Sequence, residues 1–200
     1  VIGMKTIEFF FDFSSPYSYL TATQLEQLAQ RTGAQVIYKP MVLAAVFKAT
    51  GNTMPAVVPA KARHMLTDLA RWAAEYGVPF QMSSRFPVNG IKAARMVIGA
   101  EAAGKSGALT QACFAALWTA DRDITADAEL RALAAEVGLP ADDALAATEN
   151  PTVKDRLRAY TDEAIARGVF GAPALFVGTE LFWGNDRLHF VEQALRRQIA

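Results

Sequence analysis

Apolar and polar positions alternate along this chain with two different periods, and the change of period divides it. "KTIEFFFDF" (residues 5–13) is rich in aromatic and β-branched side chains and reads as a strand. "AQVIYKPMV" (34–42) reads the same way, and "PALFVG" (173–178) is a short buried run. "TELFW" (179–183) follows through Gly178, which predicts a hairpin. Between the first two strands the period lengthens. Leu20, Leu25, Leu28 and Ala29 share a face, so residues 15–32 are expected to be a helix closed by Gly33. Strand, helix and strand in that order make a βαβ unit.

From about residue 43 to 168 the chain is Ala-rich and keeps the helical period. Leu130, Leu133, Ala134 and Val137 fall on one stripe, as do Val153, Leu157, Tyr160 and Ala164. Breaks are expected at "TGNTMPAVVP", "GVPFQMSSRFPVNG", "TADRDIT" and "TENPT". A last helix at 186–199 carries Leu188, Val191, Leu195 and Ile199 inward. The order βαβ, helical block, ββα predicts an α/β fold: a thioredoxin-like sheet domain with a large all-helical insertion. Residues 1–42 and 169–200 would form the sheet domain, and 43–168 the insertion.

Composition narrows the partners. With 200 residues, 52% hydrophobic, the chain can bury a substantial core. Its 20 basic and 20 acidic residues leave a formal net charge of zero, so neither nucleic acid nor an anionic membrane is expected as a partner. No signal-peptide pattern and no window of bilayer-spanning length is visible, and a cytoplasmic location is expected. The single cysteine, Cys113, excludes an internal disulfide and reads as a small core residue. His64 and His189 have no ligand spacing, and no metal site is expected. "GKSG" (104–107) lacks the spacing of a phosphate-binding loop.

Three short stretches carry candidate chemistry. In "FFFDFSSPYSYL" (9–20) a strand with one acid at its end runs into Ser14-Ser15-Pro16-Tyr17-Ser18. Ser15 is a good N-cap with Pro16 at the first helical position. The same hydroxyl stands where unpaired amides and the positive helix end gather, a place that favours a thiolate. In "GVFGAPALFVG" (168–178) Pro173 opens a buried strand, which either a cis Ala172–Pro173 bond or an edge-strand position would accommodate. In "FWGNDRL" (182–188) Asn185 or Asp186 is placed to cap the last helix, or Asp186 to hold an amine.

Taken together these stretches resemble a known family. Ser15 to Ser18 occupies the place of the Cys-x-x-Cys of thioredoxin-superfamily oxidoreductases, with both cysteines replaced by serine, which rules out dithiol redox chemistry. "FFFDFSSPYSYL", "GNTMPAVVPAK", "FPVN", "NPTVKDRLRAYTDEAIARGVFGAP" and "WGNDRL" together resemble the 2-hydroxychromene-2-carboxylate isomerases. Those are DsbA-like proteins related to the kappa-class glutathione transferases. The resemblance spans nearly the whole chain. It implies glutathione as cofactor, with Ser15 facing the sulfur, Pro16 and Tyr17 beside it, and Ala172 pairing with the cysteinyl backbone. Asn185 and Asp186 would hold the γ-glutamyl end beside Trp183, and Asn52 and Lys61 would lie near the cleft. Phe86, Pro87 and Asn89 belong to a stretch associated with the isomerase branch. Lys48, Lys61 and Arg85 are candidate cations for a substrate carboxylate. Ser14 departs from the pattern, since an apolar residue often stands there.

The implied reaction interconverts 2-hydroxychromene-2-carboxylate and trans-o-hydroxybenzylidenepyruvate, a step in bacterial naphthalene breakdown. A glutathione thiolate would add reversibly to the conjugated carbon, allowing rotation and then elimination. Lowering a thiol from a pKa of about 8.5 by one to two units needs about 1.4 to 2.7 kcal/mol. One hydroxyl and a helix end are of that order. No histidine or other base lies near Ser15 in sequence, so a stabilising role is expected for it in preference to covalent attack. Two other functions compete: a kappa-type transferase or peroxidase that consumes glutathione, and a non-catalytic thioredoxin-like module binding peptides along Ala172–Pro173. Relatives suggest a homodimer.

Overall fold

The computed structural model describes residues 4–197. Strand β1 (Lys5–Phe11) leads into helix α1 (Pro16–Thr32) and strand β2 (Ala34–Pro40). There follow α2 (Leu43–Thr50), a 3-10 turn at Pro55–Val57, α3 (Pro59–Tyr76), α4 (Ile91–Gly99), α5 (Ser106–Ala120), α6 (Asp127–Glu136), α7 (Ala141–Ala147) and α8 (Pro151–Ala166). The chain returns to the sheet with β3 (Ala174–Val177) and β4 (Glu180–Trp183), and ends in a 3-10 turn (Asn185–Arg187) and α9 (Leu188–Arg197). The expected limits of the helical block fall between β2 and α2 and between α8 and β3.

The strands form one sheet in the order β2-β1-β3-β4. β1 pairs in parallel with β2, and β3 is antiparallel to both β1 and β4. With β1 hydrogen-bonded on both edges and covered on both faces, its near-continuous apolar run is explained. Ile7, Phe9 and Phe11 point to one face, where they join Phe13, Phe114, Trp118 and the inner residues of α1 and α5. Phe10 points to the other, with Phe176, Met41, Val46 and Ala164. Each fully buried phenylalanine contributes about 2–3 kcal/mol of apolar transfer energy. Cys113 is fully buried in the first cluster, and burial pushes its thiol up to about 12.

Both strands of the βαβ unit end two residues before the apolar pattern does. The ladder closes at Phe11–Pro40, where proline has no N–H to give, and one further bond, Met41 N to Phe11 O, finishes it. At the C-terminal end the helix begins later than the pattern suggests. The chain enters α9 through the 3-10 turn, and Ile199 of the expected stripe lies outside the described residues. Two further breaks, after Gly99 and around Gly138, were hidden by the Ala-rich composition.

Candidate active site

The turn between β1 and α1 is assembled by Asp12. Its carbonyl accepts from Ser15 N at 3.0 Å, one carboxylate oxygen accepts from Ser14 N at 2.8 Å, and the other accepts from Leu43 N at 2.9 Å. Withdrawal from solvent pushes the Asp12 carboxyl above its ordinary range, against the opposing effect of the two N–H groups. This single side chain therefore fixes the β1–α1 turn, the candidate site, to the start of α2. It was missed as a site residue in the sequence, although a lone acid closing an apolar strand is a visible signal.

Ser15 is buried and caps α1 as expected: its Oγ accepts from Ser18 N at 3.1 Å, with Pro16 in the first turn. The same oxygen donates its proton across the sheet edge to the Ala172 carbonyl at 3.4 Å. The Ala172–Pro173 bond is cis, and Gly184 N donates to Pro173 O at 3.1 Å, tying this loop to the end of β4. Ser18 is also fully buried, and its hydroxyl has no partner among the described residues.

Around this centre the other candidates fall into two groups. Asn52 donates to Phe170 O at 2.7 Å, two residues before Ala172. Trp183 lies against Gly171, where a Cβ would sit 2.8 Å from the indole nitrogen, and its ring centroid is 5.0 Å from that of Phe170. Tyr17 donates to Asp68 at 2.8 Å. Burial first, then that bond and the charges of Asp68 and Asp186, raise its pKa. Ser15, Pro16, Tyr17, Asn52, Ala172, Trp183 and Asp186 are thus linked around one edge of the sheet.

Asn185 and Asp186 do not cap α9, contrary to the capping expectation. The 3-10 turn directs Asn185 into the interior, where its carbonyl accepts from Tyr76 Oη at 2.8 Å. Asp186 is only half-buried and pairs with Arg187. It is seated by Gly184, whose φ of 105° and lack of a Cβ admit the carboxylate oxygen.

The second group is the loop before α4. Ser14 Oγ accepts from Val88 N at 2.9 Å, so the residue that departs from the family pattern anchors this loop beside Ser15. Gly90 presses on Phe13, where a Cβ would lie 2.9 Å from that of the phenylalanine. Phe86 packs on Trp118, the Phe86–Pro87 bond is a second cis bond that the sequence did not suggest, and Asn89 accepts from Ile91 N at the start of α4. Arg85 donates to the Asp121 carbonyl at 2.6 Å and pairs with the Asp121 and Asp123 carboxylates. Of the three candidate cations it is the one already engaged. Lys48 and Lys61 are exposed and make no ion pair among the described residues.

A family model described as a DSBA-like thioredoxin domain matches residues 6–196. A 2-hydroxychromene-2-carboxylate isomerase of Sphingobium xenophagum is 39% identical, over 96% of this chain and 98% of its own. A solved structure of a 2-hydroxychromene-2-carboxylate isomerase superposes with a TM-score of 0.89 at 30% identity, covering 97% of this chain and 96% of that one. More distant is glutathione S-transferase kappa 1 of Caenorhabditis elegans, 26% identical over 97% of this chain and 92% of its own. The chain therefore belongs to the DsbA-like thioredoxin family and, within it, to the family of the 2-hydroxychromene-2-carboxylate isomerases.

Proposed function

We propose that the chain interconverts 2-hydroxychromene-2-carboxylate and trans-o-hydroxybenzylidenepyruvate, using glutathione as a cofactor that is returned unchanged. The observation that carries this reading is the Ser15 hydroxyl, held at the N-terminus of α1 and facing the Ala172 carbonyl where a dithiol protein would have a cysteine. The donor set fits a γ-glutamyl thiol peptide. A hydroxyl and a positive helix end suit a thiolate, a backbone carbonyl suits an amide N–H, and the half-buried Asp186 suits an ammonium that would share its carboxylate with the exposed Arg187. Bound there, glutathione would supply a nucleophilic thiolate whose reversible addition frees rotation about the substrate's double bond.

The chain's own contribution is to hold that sulfur as an anion and to orient both ligands. Ser15 is kept in place by Ser18 N–H, Asp12 fixes the turn, and Asn52 and Trp183 shape the loop that presents Ala172. Lys48 or Lys61 would receive the substrate carboxylate, since Arg85 is committed to Asp121. No helix among the described residues is long and apolar enough to cross a membrane. A single cysteine, with no disulfide to form within the chain, suits the reducing cytoplasm, and the family resemblance suggests a homodimer.

Calorimetric titration with reduced glutathione tests the reading. Wild type is expected to bind with release of a proton from the thiol, and Ser15→Ala to bind without it or with much less. Absence of binding at millimolar glutathione would leave Ser15 as a helix cap and favour the peptide-binding alternative.

A further inference from the structure

We infer that Ser15 and the Ala172 carbonyl act as a hydroxyl switch, which makes stabilisation of a bound sulfur anion depend on an N–H group carried by the same ligand residue. The inference rests on the glutathione reading above and adds a selection rule to it.

A serine hydroxyl has one proton to donate and lone pairs to accept. In this structure both functions of Ser15 are in use. Its lone pair takes Ser18 N–H at 3.1 Å, and its proton goes to the Ala172 carbonyl at 3.4 Å. The second bond is well beyond the usual O–H···O separation of about 2.7–2.8 Å, so it is the weaker of the two and the one to yield. A thiolate arriving at the end of α1 needs that proton. Once the proton turns to sulfur, the carbonyl of Ala172, a partly buried residue, has lost its donor, and beneath a bound ligand that excludes water an unmade hydrogen bond is costly. A ligand N–H beside the sulfur restores it. One loose bond is then exchanged for two.

A thiol without such an N–H offers no replacement, and the carbonyl continues to compete with the sulfur for the Ser15 proton. The site should therefore favour cysteinyl peptides over plain thiols of equal acidity, and favour them in the thiolate state. The charges near this edge, Asp12 behind the turn and Asp68 and Asp186 beside Tyr17, are the same for every ligand compared and cancel in the comparison.

Two titrations decide. Thiolate absorbance against pH is followed for protein saturated with glutathione, or with the analogue methylated on its cysteinyl nitrogen. The bound glutathione thiol is expected to titrate about one pH unit lower, giving roughly tenfold more thiolate at a pH below both values. Ser15→Ala is expected to abolish that difference. Equal titration of the two ligands in wild type would overturn the switch while leaving the glutathione reading intact; failure of glutathione itself to bind would remove the reading. The second titration uses S-methylglutathione, which keeps the N–H and has no thiolate. Ser15→Ala removes a competitor for Ala172 and is expected to bind this probe as tightly as wild type or more so, while binding glutathione about tenfold more weakly. Equal weakening of both ligands would contradict the switch.

Discussion

Two serines three positions apart at the start of α1 are predicted to contribute to stability with opposite signs. Ser15 satisfies an amide at the helix start, and replacing such a cap by alanine costs about 1 kcal/mol. Ser18 buries a hydroxyl without a partner, so Ser18→Ala is expected to be neutral or to stabilise by up to about 1 kcal/mol. Urea denaturation of the two variants checks this, and an equal loss in both would show that Ser18 is hydrogen-bonded in solution. The cap and its proline were legible because capping is a matter of neighbouring residues. Asp12 at the start of α2, Tyr17 on Asp68, Ser14 under Val88 and Tyr76 on Asn185 were not, because their partners lie 31, 51, 74 and 109 positions away.

At the scale of elements, α8 is fastened to the sheet by an alternating ring of charges. Lys39 on β2 bonds Glu8 at 2.6 Å and Glu163 at 2.8 Å, and Arg167 bonds the same two carboxylates at 2.8 Å each. Both cations also lie over rings of the second core, Lys39 at 5.2 Å from Phe10 and Arg167 at 3.7 Å from Phe176. Burial acts to raise the pKa of Glu8, but the bonds from Arg167 and Lys39 outweigh it and the net shift is downward. A carboxylate lowered in the folded state contributes stability that is present above its unfolded value and lost as pH falls through the folded one. Glu8→Gln is therefore expected to be less stable than wild type by about 1–3 kcal/mol at pH 7, and the gap to close as the pH falls below the ordinary carboxylate range and Glu8 is protonated. A gap unchanged at low pH would mean that Glu8 acts by packing alone. Periodicity revealed β1, α1 and β2, while the 3-10 turn before α9 escaped it because Asn185 is drawn inward by Tyr76, a contact no local pattern encodes.

Across the whole molecule, the sheet supplies the frame and the long helical block supplies much of what surrounds Ser15. β1 and α5 share one continuous core through Phe11, Phe13 and Phe114, so the turn that carries Ser15 rests on the helical block as well as on the sheet. The loop before α4 reaches the same turn through Ser14, and α3 reaches it through Asp68. The order of strands and helices along the chain was enough to anticipate the fold class, because a βαβ unit followed by an antiparallel hairpin leaves few arrangements open. The approach of α3, of the loop before α4 and of α5 to this turn could not be anticipated, since each contact depends on tertiary packing. We propose that this edge of the sheet runs a glutathione-dependent isomerisation. The most direct test mixes trans-o-hydroxybenzylidenepyruvate with protein and a small amount of reduced glutathione, following the approach to equilibrium by absorbance and the glutathione remaining by thiol titration. Rapid interconversion that needs glutathione and leaves its amount unchanged is expected. Interconversion at the uncatalysed rate, or stoichiometric loss of glutathione, would contradict it.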